Sequence, residues 1–276
     1  MPFTHTLGRA IAVASIVALT GPLAPSAYAQ SSETLTIAVA NSMKDVFRKL
    51  VPLYEARNRD VNVRVIYAQS KTLLKQIEEG APVDVFIPSA YEELDQLEQK
   101  KLIIQDTKQV YARTALVLIT NTAFPATIGS IRDLETLPVR HIAIGDPATS
   151  TVGKDAVQFL KYRNLEPRLK SRYLYGEHSK AVLDLVSKGE AELGLVYRTA
   201  ATPVKRVRII DAAPAESHRP ITYGVAAPWT SENVSRVRDF VAFLLSEPIQ
   251  AELKKFGFDQ EVSDIGSAQR QEEVKP

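Results

Sequence analysis

The 276-residue chain has no cysteine. That excludes disulfide staples, thiol catalysis and cysteine-ligated metal sites. It also excludes a lipid-modified cysteine at a processing site, so a chain free of a lipid tether is expected. A few hundred residues bury enough core to do without staples. No apolar run reaches the roughly 20 residues that span a bilayer. The four histidines, His5, His141, His178 and His218, are scattered, which gives no basis for a zinc cluster. No Gly-x-Ser-x-Gly elbow occurs. Gly145 to Lys154 ends in Gly153-Lys154, but its glycine spacing is too long for a phosphate loop, and Asp155 stands where Ser or Thr is needed. With no nucleophile–base pattern, neither an enzyme nor a cofactor is expected. The formal net charge is only +2, which argues against nucleic acid as a partner.

What is present begins with an address. Arg9 supplies a positive flank, Ala10 to Leu23 is mostly apolar, and Ala27-Tyr28-Ala29 is a small-x-small processing site. A signal peptide over 1–29, cut between Ala29 and Gln30, implies export to the periplasm.

Beyond it, strand and helix patterns alternate. Leu35–Ala40, Val61–Tyr67 and Val83–Ile87 read as strands. Between them fall helical patterns, one carrying Met43, Val46, Phe47, Leu50 and Tyr54 on one face and one from Ser70 to Glu79 closed by Gly80. Pro52 should kink or shorten the first. A charged helix spans Tyr91–Lys100. Further strands are expected at Ala115–Thr120, His141–Ile144, Leu193–Tyr197, Val207–Ile210 and Ile221–Ala226. Further helices are expected at Gly153–Tyr162, Ser179–Lys188, Ser231–Leu245 and Pro248–Lys255. Pro125, Gly129 and Pro138 mark a loop-rich pause. The alternation predicts an α/β fold with mostly parallel sheets. Two lobes are expected, one of residues 30–113 plus 222–266 and one of 114–221, with a loose polar tail over 267–276. Extended crossings near 110–116 and 220–226 would serve as the hinge.

Four places share one design, a small polar residue between a strand and a helix. They are Asn41-Ser42, Ser70-Lys71-Thr72, Thr149 to Gly153, and His178-Ser179. A helix start presents unpaired N–H groups and about half a positive charge. Hydroxyls add donors without fixed charge. Each residue type is also an ordinary helix cap, but four at strand ends, where α/β clefts form, point to an anion site. None of the four contains an arginine, which counts against a bidentate carboxylate clamp.

The segment from Leu35 to Phe47 resembles the opening strand and helix of the periplasmic molybdate-binding proteins. Gln76, Ile77, Gly80, Ala81, Pro82, Asp84 and Phe86 match that family's Gln-Ile-x-x-Gly-Ala-Pro-x-Asp-x-Phe segment. Ile144-Gly-Asp-Pro147 with Gly153, Leu193–Tyr197 and Lys255–Phe258 resemble later segments in the same order. The resemblance implies the two-lobed type II periplasmic-binding-protein fold with a ligand cleft between the lobes. It implies molybdate or tungstate as ligand and an ABC permease in the inner membrane as partner, with the binding protein itself a monomer. It also implies an oxyanion held by the hydroxyls of Ser42 and Ser70, the backbone N–H groups of Val152 and Ser179, and the phenol of Tyr197. Asn41, Lys71 and His178 lie beside those contacts, where Lys71 and His178 either add a donor or point to solvent, as exposure preference favours for Lys71.

This chain departs from the family pattern at Thr151-Val152-Gly153, at Ser179 and at Thr199-Ala200-Ala201. Sulfate, phosphate or an organic acid therefore stays open as the ligand, and so does a sensory role in place of transport.

Overall fold

A computed structural model describes Met1 and residues 32–124, 128–136 and 138–259. Apart from Met1, the signal peptide expected over 1–29 lies outside the described residues, as do its processing site, Pro125, residues 260–266 of the expected first lobe and the tail expected over 267–276.

From Ser32 onward the described residues belong to one compact unit, built on two five-stranded sheets. The first sheet is entered by β1 (Glu33–Ala40), six of whose eight residues are buried. A single 3-10 turn, Asn41–Met43, leads into α1 (Lys44–Arg57). Of the kink or shortening expected of Pro52, the shortening does not occur: α1 runs five residues past it. Pro52 is exposed, so water can satisfy the carbonyl its missing N–H leaves open. β2 (Val61–Ala68), α2 (Ser70–Glu78), β3 (Val85–Ile87) and α3 (Glu92–Gln99) follow. Gly80 ends α2 with φ near +87°, a conformation that favours glycine.

β4 (Ile103–Thr114) is a long strand absent from the sequence reading. Its polar and charged residues, from Gln105 to Gln109, mask the apolar alternation by which strands are recognised. Ala115 alone separates it from β5 (Leu116–Asn121), which opens the second sheet. A 3-10 turn at Ile131–Glu135 interrupts the loop-rich stretch. Next come β6 (Ile142–Gly145), α4 (Thr151–Tyr162), the single turn α5 (Glu166–Leu169) and β7 (Tyr173–Gly176). The short β7 was also unread from sequence. α6 (Ser179–Ser187), β8 (Leu193–Tyr197), α7 (Arg198–Ala201) and β9 (Val207–Ala212) complete this half. The chain returns through β10 (Ile221–Pro228), then α8 (Val234–Leu245) and α9 (Glu247–Lys254).

The strand order is β2-β1-β3-β10-β4 in one sheet and β7-β6-β8-β5-β9 in the other. In each, only the strands joined through helices are parallel. β10 runs antiparallel to β3 and β4, and β5 antiparallel to β8 and β9. The sheets are therefore mixed, because the strands that carry the chain between the two halves enter against the others.

The returning helices bind the first half together. Tyr54 of α1 meets Phe240 and Phe243 of α8 edge-on, with ring centroids 4.9 and 5.1 Å apart. On the other face of that sheet Leu73, Ile77, Phe86, Leu94 and Leu97 form a second cluster. Val182, Val186 and Ile119 do the same under α6.

Candidate functional site

Parallel register sets which residues share an edge. In the first sheet Ala40 pairs with Ala68, and Val39 with Ile87. Asn41-Ser42, Ser70 and Pro88-Ser89 therefore all leave from the carboxyl edge of one sheet. In the second, Gly145 pairs with Gly176 and Ala143 with Gly194. The start of α4, the start of α6 and Tyr197 leave from the matching edge there. Ligands of open α/β sheets bind beyond such edges.

The amides of the second half are free of their own helices. The first bond of the α4 ladder is Lys154 N to Ser150 O at 3.1 Å, so the N–H groups of Thr151, Val152 and Gly153 lie ahead of it. In α6 the ladder starts with Val182 N to His178 O at 3.2 Å. The His178 Nδ1 accepts from Ala181 N at 3.3 Å, which makes His178 a cap and leaves Ser179 N–H ahead of the ladder. The His178 side chain and Lys71 are exposed, as are Asn41 and Ser42.

Two hydroxyls are differently engaged. Ser70, 8% exposed, donates to Glu93 Oε2 at 2.6 Å and accepts from Ser89 N at 3.0 Å. The same Glu93 oxygen accepts from Ala90 N at 3.2 Å, just ahead of α3. Tyr197 donates to Asp155 Oδ2 at 2.6 Å. Burial and the neighbouring Asp155 push the phenol's ionisation far above its ordinary range, so it holds its one proton. Asp155, in the first turns of α4, is 1% exposed. Its second oxygen accepts from Arg219 Nε at 2.8 Å.

Arg219 lies on the segment between β9 and β10, and its Nη1 pairs with Glu92 at the start of α3. One guanidinium thus ties α3 of the first half to α4 of the second. Gln158 of α4 accepts from Arg219 N at 3.2 Å, and the Arg219 carbonyl takes the His218 Nδ1 proton at 2.8 Å. Sequence had placed no arginine at the turns, and the fold brings one in from elsewhere. Arg219, Glu92, Asp155, Tyr197, Thr151 and Ser89 border a cavity of about 40 Å³. That is far below the several hundred Å³ of drug-sized sites and fits something small.

Sequence reasoning missed Glu93, Asp155 and Arg219. Asp155 was noticed only as the residue that spoils a phosphate loop. Arg219 carries no local signal, since its partners are 64 and 127 residues away. Among the described residues, no group of three or more His, Asp or Glu side chains is placed to hold a metal ion.

Two α/β halves with helix starts and strand ends facing one small polar cavity define a solute-binding protein of the two-lobed kind. A family of bacterial extracellular solute-binding proteins matches residues 35–259, and the chain belongs to it. The molybdate-binding protein ModA of Haemophilus influenzae is 31% identical over 231 residues, 83% of this chain and 91% of that protein. ModA of Escherichia coli is 30% identical over 249 residues, 87% and 94% of the two chains. A solved substrate-binding domain assigned to a molybdenum ABC transporter of Clostridium difficile superposes with TM-score 0.79 and 32% identity, over 84% of this chain and all of that one. The family is one of binding proteins, not enzymes.

Proposed function

We propose that this chain is the periplasmic substrate-binding component of an ABC importer for molybdate or tungstate. The observation that carries the reading is the shared edge: helix-start amides at Val152 and Ser179 leave one sheet, and hydroxyls at Ser42 and Ser70 leave the other. Relatives about 30% identical over most of their length are molybdate-binding proteins, which supports the ligand. The oxyanion would accept from Ser42 and Ser70 hydroxyls, from Val152 and Ser179 N–H groups, and from the Tyr197 phenol, with Asn41, Lys71 and His178 beside them. Neutral donors suit a carrier, because a closed ring of them measures size and rejects a protonated ligand.

The proposed lobes are residues 30–113 plus 222–266 and residues 114–221, with the hinge in the two crossings. Closure over the anion would create the surface an inner-membrane permease reads. Residues 1–29 would direct export and be removed between Ala29 and Gln30, and the binding protein would act as a monomer.

Calorimetry of the purified chain against molybdate, tungstate, sulfate and phosphate tests the reading. Tight 1:1 binding of the first two, with no sulfate response, is expected. Heat only with sulfate or phosphate, or with none of the four, would overturn it. Loss of high-affinity molybdate uptake on deletion would separate transport from sensing.

A further inference from the structure

We infer that two buried carboxylates, Glu93 and Asp155, set the affinity of the cleft by competing with the ligand for the protons of Ser70 and Tyr197. This rests on the proposed reading of the cleft as an oxyanion site.

A hydroxyl has one proton to donate. The Ser70 proton goes to Glu93 at 2.6 Å, and the Ser70 oxygen is already an acceptor for Ser89 N–H. The Tyr197 proton goes to Asp155 at 2.6 Å. Neither side chain can donate to an oxyanion without leaving its carboxylate. Hydrogen bonds to an ionised acceptor are roughly twice as strong as neutral ones, so release is costly.

Both carboxylates are positioned to be good competitors. Glu93 is 8% exposed and accepts from Ala90 N at 3.2 Å as well as from Ser70. Asp155 is 1% exposed and braced by Arg219. The pattern occurs once beside each sheet, in elements far apart in sequence: Asp155 and Tyr197 border the cavity, and Ser70 and Glu93 are bonded to the Ser89 and Ala90 amides that border it. It makes this cleft a damped one, in which binding requires two proton hand-overs, one from each side.

The amide variants separate competition from mere support. Glu93→Gln keeps an oxygen for the Ala90 N–H, and Asp155→Asn keeps one for Tyr197 at the loss of the acceptor for Arg219 Nε, while both lose the charge. Calorimetry against molybdate, tungstate, sulfate and phosphate is run on wild type, Glu93→Gln, Asp155→Asn, Ser70→Ala and the Ser70→Ala/Glu93→Gln double variant, with melting curves to confirm folding. Binding about tenfold tighter in each amide variant is expected, as about 1.4 kcal/mol of relieved competition gives. The Glu93→Gln gain should largely vanish in the Ser70→Ala background, where the Ser70 proton is no longer contested and only the longer Ser89 Oγ contact to Glu93, at 3.4 Å, remains.

Unchanged or weaker binding in both folded amide variants would overturn the inference. A gain that persists without Ser70 would overturn it for Glu93 by making charge repulsion sufficient. Should the wild type take sulfate or phosphate instead of molybdate, the proposed ligand falls, and the competition is read on the anion that binds. Molybdate bound equally by wild type and both amide variants leaves the proposed ligand standing and removes the competition.

Discussion

Gly153, in the first turn of α4, lies so close to Gly145 that a Cβ on Gly153 would fall 2.3 Å from the Gly145 carbonyl oxygen. Real Cβ contacts do not approach backbone so closely, so only glycine lets the helix begin directly against the end of β6. The Val152 amide is held at the sheet edge by that contact. Gly153→Ala should force the helix start away, cost about 1–3 kcal/mol of stability as overpacking does, and weaken anion binding. Thermal denaturation and calorimetry on the same sample check both. A variant with wild-type affinity would separate the α4 amides from the ligand.

Ser42→Ala and Ser70→Ala should each weaken anion binding by about 1–3 kcal/mol, the range for an acceptor left unpaired. Titration with molybdate reads this directly. The two differ in the free protein: Ser42 is exposed, while Ser70 serves Glu93, so only Ser70→Ala should also lower the melting temperature. Wild-type affinity in both would remove the hydroxyls from the site.

Arg219→Ala takes the cationic partner from Asp155, which is 1% exposed. A loss of about 2 kcal/mol is expected, within the range for stranding a buried polar group. The larger figures for a fully buried pair do not apply, since the guanidinium is 39% exposed and Tyr197 still donates to Asp155. Urea unfolding measures the loss, and Arg219→Lys should recover part of it, because the charge returns without the fork.

The Tyr54 hydroxyl is buried without a hydrogen-bond partner among the described residues. Burial first, then the charge of Asp239, pushes its ionisation up to about 12. An ordinary tyrosine in the unfolded chain ionises near pH 10. The stability Tyr54 contributes is therefore complete below pH 10 and lost as pH rises toward 12. Tyr54→Phe should match or exceed wild-type stability at pH 7, by up to about 1 kcal/mol, since no bond is broken. It should also fall less steeply above pH 10. Melting temperatures from pH 7 to 11 test this, and an alkaline decline as steep as wild type would discard it.

The fold was readable where local rules and tertiary demands agree. β1, α2, α4, α6 and β8 were legible from apolar period and turn residues, within a few residues at each end. β4 was not, because its pairing with β10 across more than a hundred residues stabilises a polar segment that lacks strand patterning. Pro52 does not shorten α1, since a helix held by Phe47, Leu50 and Tyr54 in the core tolerates one missing surface bond.

The sequence by itself determined the α/β class, the strand-end helix starts and the resemblance to oxyanion carriers, because each is written in short-range spacing. Tertiary structure alone decided which groups meet around them. Glu93 reaches Ser70 over 23 residues, Asp155 reaches Tyr197 over 42, and Arg219 reaches Glu92 over 127. A carboxylate's charge is visible in a sequence, but the proton it holds depends on which hydroxyl the fold brings beside it, and burial then makes that pairing obligatory.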